Sequence, residues 1–282
     1  MSIDLDEYRE RSLETWDEMA AGWEARAKWM SESAGVVNEW ILDKLDPQQR
    51  ETVLDIAAGP GDLGMQAAER VGDGGHVLCT DFSPEMVAAA RRIGDGRGLT
   101  NVEYRVLDAE HMDLDDESVD SAVCRWGYML MADPAAALSE TKRVLHAGGP
   151  LAFAFWAAPE KNPWAAVPAK TLVERGHMPP PEPGAPGIFA LADHDRIRSL
   201  VTGAGFGDPE LEEIGFEFTY KDFDDLWDSL VRLAGPLAYA IKALDEDERR
   251  ATYEAIEVNV APFRNDNGSY SAPALCVGGL TR

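Results

Sequence analysis

The stretch "LDIAAGPGDLG", residues 54–64, decides the fold, because three glycines join an apolar run to a helix-like segment. Gly59, Gly61 and Gly64 fit the spacing G-x-G-x-x-G, which allows a tight turn and brings backbone amides close to a ligand. A strand-to-helix turn without any ligand can have the same spacing. The stretch therefore predicts a strand, a turn and a helix, with a candidate ligand site at the turn.

Short apolar runs and helix-like segments alternate on both sides of this unit. Predicted strands cover 52–58, 76–81, 102–108, 119–126, 151–156, 211–220 and 271–280, and the first five alternate with predicted helices at 63–71, 83–93 and 134–145. Short apolar strands joined through helices form right-handed crossovers in a parallel sheet that is covered on both faces. The pattern predicts an α/β fold: a Rossmann-like, mostly parallel, seven-stranded sheet with an antiparallel last strand and a helical cap.

The segments outside this alternation are predicted to form the cap. Residues 5–45 mix apolar and charged residues at helical spacing, and residues 221–262 are mostly helical in pattern. We expect one domain over residues 1–282. In it, 1–45 form an N-terminal helical cap, 46–220 and 270–282 form the Rossmann-like core, and 221–269 form a helical insert over the active site.

The composition restricts the partners of this chain. Its 282 residues include 51 acidic and 26 basic side chains, a formal net charge of −25, which repels the phosphates of nucleic acids and anionic lipids. The longest apolar run, residues 151–158, is far shorter than the ~20 residues of a membrane-spanning helix. The three cysteines show no metal-binding spacing. We predict a cytoplasmic protein that acts on a small molecule without nucleic acid, membrane or metal, and that can form a homodimer.

Carboxylates at the predicted strand ends indicate the type of cofactor. Asp55 ends the first strand, where an acid can bond the amides of the glycine turn, and Asp81 ends the second, where an acid bonds ribose hydroxyls. Nicotinamide and adenosyl cofactors both use such an acid. However, Asp55 and Asp62 would repel a pyrophosphate at the start of the helix. They favour a cofactor with a cationic centre and no phosphate, such as S-adenosylmethionine.

Four segments resemble the motifs of the class I S-adenosylmethionine-dependent methyltransferases. They read "VLDIAAGPGDLG", "TDFSPEMVAAA", "VLDAEHM" and "DPAAALSETKRVLHAGGPLAFAFW". The resemblance implies S-adenosyl-L-methionine as cofactor and S-adenosyl-L-homocysteine as product, with Asp81 on the ribose and Asp108 and Ala109 at the adenine edge. The predicted cofactor-binding residues are Trp16, Trp23, Asp55, Ala57, Gly59, Gly61, Asp81, Phe82, Met86, Asp108, Ala109 and Arg125.

Within the class, "WDEMAAGW" at 16–23 resembles the branch of small-molecule enzymes that contains the ubiquinone/menaquinone C-methyltransferases. In that branch the segment closes over the cofactor. Trp16 and Trp23 lie seven residues apart and so share one face of a helix. The quinone enzymes carry an Arg-Asn pair where this chain has Met129 and Leu130, which argues against a quinol acceptor.

The residues near the predicted mouth suggest a flat or hydrophobic acceptor, because many of them are aromatic. The predicted substrate-binding residues are Trp126 and Tyr128 after the fourth strand, Trp156 at the end of the fifth, and Phe189 in a lid-like loop. His177, in a proline-rich segment, is the predicted general base, although an in-line methyl transfer needs a base only where the acceptor must lose a proton.

These observations predict methyl transfer from S-adenosylmethionine to an oxygen or carbon of a small, apolar or aromatic acceptor by in-line displacement. Two other functions stay open. The glycine spacing also suits an NAD-type nucleotide-dependent oxidoreductase or epimerase. A non-catalytic regulatory domain that binds an adenosyl ligand would use the same turn.

Overall fold

The structure is a computed structural model, and it describes residues 5–182 and 184–282. Its helices are α1 (Leu5–Ala25), α2 (Ala27–Leu45), α3 (Asp62–Val71), α4 (Pro84–Arg97), α5 (Pro134–Val144), α6 (Pro163–Glu174), α7 (His194–Gly203), α8 (Phe223–Leu233), α9 (Pro236–Lys242) and α10 (Glu246–Val260). Its strands are β1 (Thr52–Ile56), β2 (His76–Asp81), β3 (Val102–Val106), β4 (Ser121–Arg125), β5 (Leu151–Trp156), β6 (Glu210–Tyr220) and β7 (Tyr270–Thr281). None of the helices within the described ranges has both the length and the apolar character needed to cross a lipid bilayer.

The strands form one sheet with the order β3-β2-β1-β4-β5-β7-β6. Strands β1 to β5 are parallel, whereas β7 runs antiparallel to both β5 and β6. All six residues of β5 are buried, as expected for a central strand covered by helices on both faces. The predicted fold class, with its antiparallel last strand, is confirmed.

The order of the strands positions a ligand site. Strand β1 lies between β2 and β4, so the chain crosses the sheet in opposite directions after β1 and after β3. Connections that leave in opposite directions open a crevice at the carboxyl ends of the adjacent strands β1 and β4, where the strand order reverses. The glycine turn at residues 57–61 lies at the end of β1 and therefore borders this crevice.

Helices from both ends of the chain cover the crevice. Helix α1 packs on α8 so closely that a Cβ added at Gly22 would lie 2.5 Å from the carbonyl oxygen of Arg232. On its other side, α1 is joined to the start of α4, because the Ser83 hydroxyl donates a hydrogen bond to Asp17. Helices α8, α9 and α10 form the connection between β6 and β7. The division of the chain into core and cap stays a prediction.

Strand β6 is one of the two edges of the sheet and spans 11 residues. Ile214, Phe218 and Tyr220 are buried on its inner face, as the alternation of a strand requires. Its exposed side chains include four glutamates, which are Glu210, Glu212, Glu213 and Glu217. The inner face of this edge strand is therefore apolar from Ile214 onwards, whereas the start of the strand and its outer face are acidic.

The junction of β5 and β7 provides a test of the packing. Gly279 pairs with Phe153, and a Cβ at Gly279 would lie 2.2 Å from the Phe153 ring, which is fully buried. We expect Gly279→Ala to lower the free energy of unfolding by about 1–3 kcal/mol, the usual cost of overpacking, in denaturant titrations. Gly215→Ala in β6 is the control, since its Cβ would make an ordinary contact of 3.7 Å with Leu275. Equal effects of the two substitutions would contradict this account.

Candidate active site

One large cavity occupies the crevice and has an empty volume of about 1660 Å³, its open mouth included. Its walls come from the turn after β1, the ends of β2 to β6, the helix α1, and the junction of α8 and α9. The cavity therefore brings the carboxyl ends of the strands together with the helices that cover them.

The turn after β1 has residues with positive φ, a backbone conformation that glycine adopts easily and other residues rarely adopt. Ala57 and Gly59 line the cavity with φ of 52° and 56°, in the left-handed region. Trp126, at the end of the neighbouring β4, also has a positive φ, of 62°. A Cβ at Gly127 would lie 2.6 Å from the Cβ of Ala57, so the two strand ends touch there. Strained backbone of this kind is concentrated at functional sites.

Asp81 holds the turn in place at the end of β2. One carboxylate oxygen accepts a hydrogen bond from the Gly59 amide at 2.8 Å, and the other accepts one from the Ser83 amide at 2.9 Å. Burial raises the pKa of Asp81 to about 6, against the opposing effect of these bonds. The side chain also lines the cavity, and each carboxylate oxygen keeps a second lone pair for a ligand.

Asp55 lies under the turn, outside the cavity lining. It is 1% exposed, and its Oδ2 atom has no hydrogen-bond partner within the described residues. Burial raises the pKa of Asp55 to about 7, against the lowering effects of Arg125 and the Gly64 amide. A Cβ at Gly64 would lie 2.6 Å from Oδ2, so this glycine allows α3 to start directly against the carboxyl group. Asp55 thus supports the turn from below.

Arg125 and Asp62 form a buried pair between α3 and β4. The Arg125 guanidinium donates to the Asn38 side-chain oxygen at 2.5 Å and lies 3.3 Å from the Asp62 carboxylate. The Asn38 amide donates to the same carboxylate at 2.6 Å. Asp62 does not line the cavity, and its charge is balanced by Arg125. Because Arg125 pairs with it, Asp62 would repel a phosphate less strongly than the sequence alone predicts. Arg125 itself reaches the cavity wall.

The first turns of α1 contact the end of β3. Arg9 forms ion pairs with Asp108 and with Glu110, and its guanidinium lies 5.7 Å from the centre of the Phe82 ring. The Tyr8 hydroxyl donates to the Leu130 carbonyl at 2.8 Å. Both of these α1 residues line the cavity. The N-terminal helix thus closes the end of the cavity where Asp108 and Phe82 lie.

Aromatic rings form the opposite side of the cavity. We call this side the aromatic wall, and it consists of Trp29, Trp126, Trp156, Trp164, Phe218 and Tyr220. The rings of Trp126 and Trp156 stack at 4.3 Å, and those of Trp29 and Phe218 stack at 5.3 Å. Arg125 lies over Trp126 at 4.7 Å and so links this wall to the buried ion pair.

Most of the predicted site residues meet at this cavity. Those that line it are Trp16, Trp23, Ala57, Gly59, Asp81, Phe82, Met86, Asp108, Ala109, Arg125, Trp126 and Trp156. Gly61 does not line it: a Cβ there would lie 3.1 Å from Ala90, Cys79 and Met65, so this glycine serves the packing of the turn. The structure brings the residues together, and their roles in binding stay predictions.

Besides Asp55 and Gly61, three predicted residues of the acceptor side lie outside the cavity lining. Tyr128 is fully buried and its hydroxyl bonds Thr141 at 2.7 Å, because the short 3-10 turn at Tyr128–Leu130 directs the ring towards α5. Phe189 packs on the core, while its neighbour Ile188 lines the cavity. His177 lies outside the lining, with Nε2 at 3.2 Å from the Glu248 carboxylate of α10. These positions argue against substrate contact by Tyr128 and Phe189, and against His177 as the base.

Three residues of the aromatic wall, Trp29, Phe218 and Tyr220, were not among the predicted site residues. Phe218 and Tyr220 sit two residues apart on β6 and hence on one face of the sheet, a signal that was visible in the alternation of "FEFTY". Trp29 in α2 and the apolar residues Leu230, Leu233 and Leu237 of α8 and α9 also line the cavity. Nothing in the local sequence indicates that these helices meet the carboxyl end of the sheet.

Comparisons with known proteins agree with this geometry. Residues 47–172 match the family model of a methyltransferase domain. A demethylmenaquinone methyltransferase of Thermus thermophilus is 36% identical over 115 residues, 41% of this chain and 51% of that protein. An aklanonic acid methyltransferase of a Streptomyces species is 34% identical over 113 residues, 40% of this chain and 51% of that protein. The chain thus spans about half the length of these curated relatives.

The fold is also found among solved structures. A candidate methyltransferase of Bacillus halodurans superimposes with a TM-score of 0.58 and 24% identity, over 87% of this chain and 97% of that one. At this level of identity the likeness concerns the fold. Together, the family model and the relatives confirm the predicted resemblance to the class I methyltransferases.

Proposed function

Because residues 47–172 carry a methyltransferase domain, we propose that this chain transfers a methyl group from S-adenosylmethionine to a small, apolar or aromatic acceptor. The cofactor would lie between α1 and the ends of β1, β2 and β3. The acceptor would lie against the aromatic wall. An oxygen or a carbon of the acceptor would receive the methyl group.

The observation that carries this proposal is the position of Asp81. Its carboxylate lines the cavity at the end of β2 and also holds the glycine turn through the amides of Gly59 and Ser83. A carboxylate in this place can accept hydrogen bonds from both hydroxyls of a ribose. Asp108 and Ala109, which line the cavity after β3, would border the adenine, as the resemblance implies.

The cofactor, when bound, supplies a methyl group that is already activated by its sulfonium. The chain has to orient the donor and the acceptor and to exclude water, and good orientation can supply about 7–11 kcal/mol of the barrier. Trp16, Trp23 and the α8–α9 junction cover the cavity from the solvent side. Histidine is absent from the cavity lining among the described residues, so we propose an acceptor that needs no histidine base.

The walls support a small and mostly apolar acceptor. Residues of α1 and of the α8–α9 junction line the cavity together with the strand ends, and a concave apolar site of this kind suits a small molecule. The two relatives above match about equally well, yet they are named for different acceptors. The match itself therefore does not select an acceptor, and the wall residues have to do so.

A calorimetric titration tests the cofactor. We expect S-adenosylhomocysteine to bind with a dissociation constant in the micromolar range or below, because the product keeps the adenosine that Asp81 and Asp108 would contact. NAD should give no heat under the same conditions. Binding of NAD without binding of S-adenosylhomocysteine would instead support the oxidoreductase or epimerase alternative.

A further inference from the structure

The aromatic wall contains a hydroxyl that forms no hydrogen bond with the described residues. Tyr220 lines the cavity, and the residue as a whole is only 3% exposed. Arg26 and Asp225, whose charges act on this hydroxyl, are paired with each other at 2.8 Å. The hydroxyl is therefore available to a ligand in the cavity, where a hydrogen bond can form without breaking one within the protein.

The other polar groups of the wall are mostly engaged. The indole N–H of Trp29 donates to the Thr219 carbonyl at 3.1 Å. The indole N–H of Trp126 donates to the Cys276 sulfur at 3.2 Å, and that of Trp164 donates to the Asn162 side chain at 3.2 Å. The indole of Trp156 is the exception, since it has no such bond within the described residues. Trp156 is 3% exposed and lines the cavity. The wall therefore offers two uncommitted donors.

Two rings of the wall, those of Trp126 and Trp29, have little free face to offer a cation. Trp126 has Arg125 over one face and Trp156 stacked on the other. Trp29 likewise has Arg26 at 4.6 Å over one face and Phe218 stacked on the other. Because a cation binds to a free ring face, these two rings present only their edges to a ligand. Ring edges carry partial positive charge and suit an electronegative atom.

We propose that the Tyr220 hydroxyl and the Trp156 indole N–H bind oxygen atoms of the acceptor, which is a flat aromatic molecule with carbonyl or phenolic oxygens. This inference rests on the proposed function, because it names the class of acceptor at the same site. The rings of Tyr220 and Trp156 both lie close to Phe218, at 6.4 and 6.1 Å between ring centres. The two donors thus border the surface against which a flat ring would lie. Burial raises the pKa of Tyr220 above its usual value, so the hydroxyl keeps its proton at neutral pH.

A matched pair of probes tests this proposal. 2-Acetylnaphthalene and 2-ethylnaphthalene have the same ring and nearly the same size, but only the ketone has an oxygen. Their affinities are measured by tryptophan fluorescence in the presence of saturating S-adenosylhomocysteine. We expect Tyr220→Phe to weaken binding of the ketone by about 5-fold, as loss of one hydrogen bond implies, and to change binding of the hydrocarbon by less than 2-fold.

The control is Tyr270→Phe. Tyr270 lies directly opposite Tyr220 on β7 and is equally buried, but it does not line the cavity. This control should leave both affinities unchanged, and Trp156→Phe should again weaken the ketone selectively. Equal loss for ketone and hydrocarbon, or an unchanged affinity for the ketone in both wall variants, would overturn the proposal.

The two proposals can fail separately. S-Adenosylhomocysteine is titrated alone into the wild type and into Tyr220→Phe. If it binds neither protein while the ketone is still selectively weakened, the donor site stands and the methyl-transfer function fails. If it binds both equally and the ketone shows no selectivity, the cofactor proposal stands and the donor site fails.

Discussion

Asp81→Ala is expected to lower the affinity for S-adenosylhomocysteine by about 100-fold or more. Hydrogen bonds to a charged group contribute about 1.5–3 kcal/mol each, and a tenfold change in affinity corresponds to about 1.4 kcal/mol. The alanine variant would lose the two proposed ribose bonds. It would also release the amides of Gly59 and Ser83, which the same carboxylate holds.

Isothermal titration of the variant and of the wild type measures this effect. Asp73→Ala is the matched control, because Asp73 is an exposed aspartate in the turn before β2, at the opposite end of that strand. The control should bind like the wild type. Unchanged affinity in Asp81→Ala would remove the ribose contact and, with it, the main support for an adenosyl cofactor at this turn.

Asp55→Asn is expected to raise stability at neutral pH and to flatten its dependence on pH. The pKa of Asp55 is about 7 in the folded chain, against 3.8 for an ordinary aspartate, because the group is buried. Between pH 4 and pH 7 the folded chain therefore keeps a proton that the unfolded chain has lost. Stability falls across this window as the pH rises, by up to about 1.4 kcal/mol per pH unit and about 4 kcal/mol in all.

Asparagine has nearly the same shape as aspartate and cannot ionise. The variant and the wild type should thus be equally stable near pH 4 and diverge towards pH 8, in denaturant unfolding at each pH without cofactor. Asp73→Asn should follow the wild type, because that side chain is exposed. Parallel curves for Asp55→Asn and the wild type would show that the Asp55 carboxyl is not destabilised by burial.

The fold could be predicted from the sequence because strands β1 to β5 are short and because helices with clear starts follow β1, β2 and β4. Ser83 and Pro84, for example, begin α4 as their chemistry predicts, with the Ser83 hydroxyl accepting the Met86 amide. The right-handedness of such crossovers then places the connecting helices on the faces of a parallel sheet. Even the late pair β6 and β7, which encloses three helices, was predicted from the alternation in each strand.

The cofactor side of the site was predictable for a similar reason, since its residues lie at fixed distances from the strand ends. The acceptor side was not. The short 3-10 turn at Tyr128–Leu130 directs the Tyr128 ring towards Thr141. His177, which follows α6, lies next to Glu248 of α10. Such directions depend on tertiary packing between segments far apart in the chain, which local spacing does not specify.

The acidic edge of β6 has a consequence for the behaviour of the protein at high concentration. An unpaired strand offers a row of amides and carbonyls to which a strand of another molecule can add. Glu212 is paired with Lys44, and we expect the other exposed glutamates of that strand, Glu210, Glu213 and Glu217, to repel an identical molecule. Salt shortens the range of this repulsion from about 10 Å at 0.1 M to about 3 Å at 1 M. Strand-to-strand aggregation along β6 is therefore opposed in dilute buffer and becomes easier as the ionic strength rises.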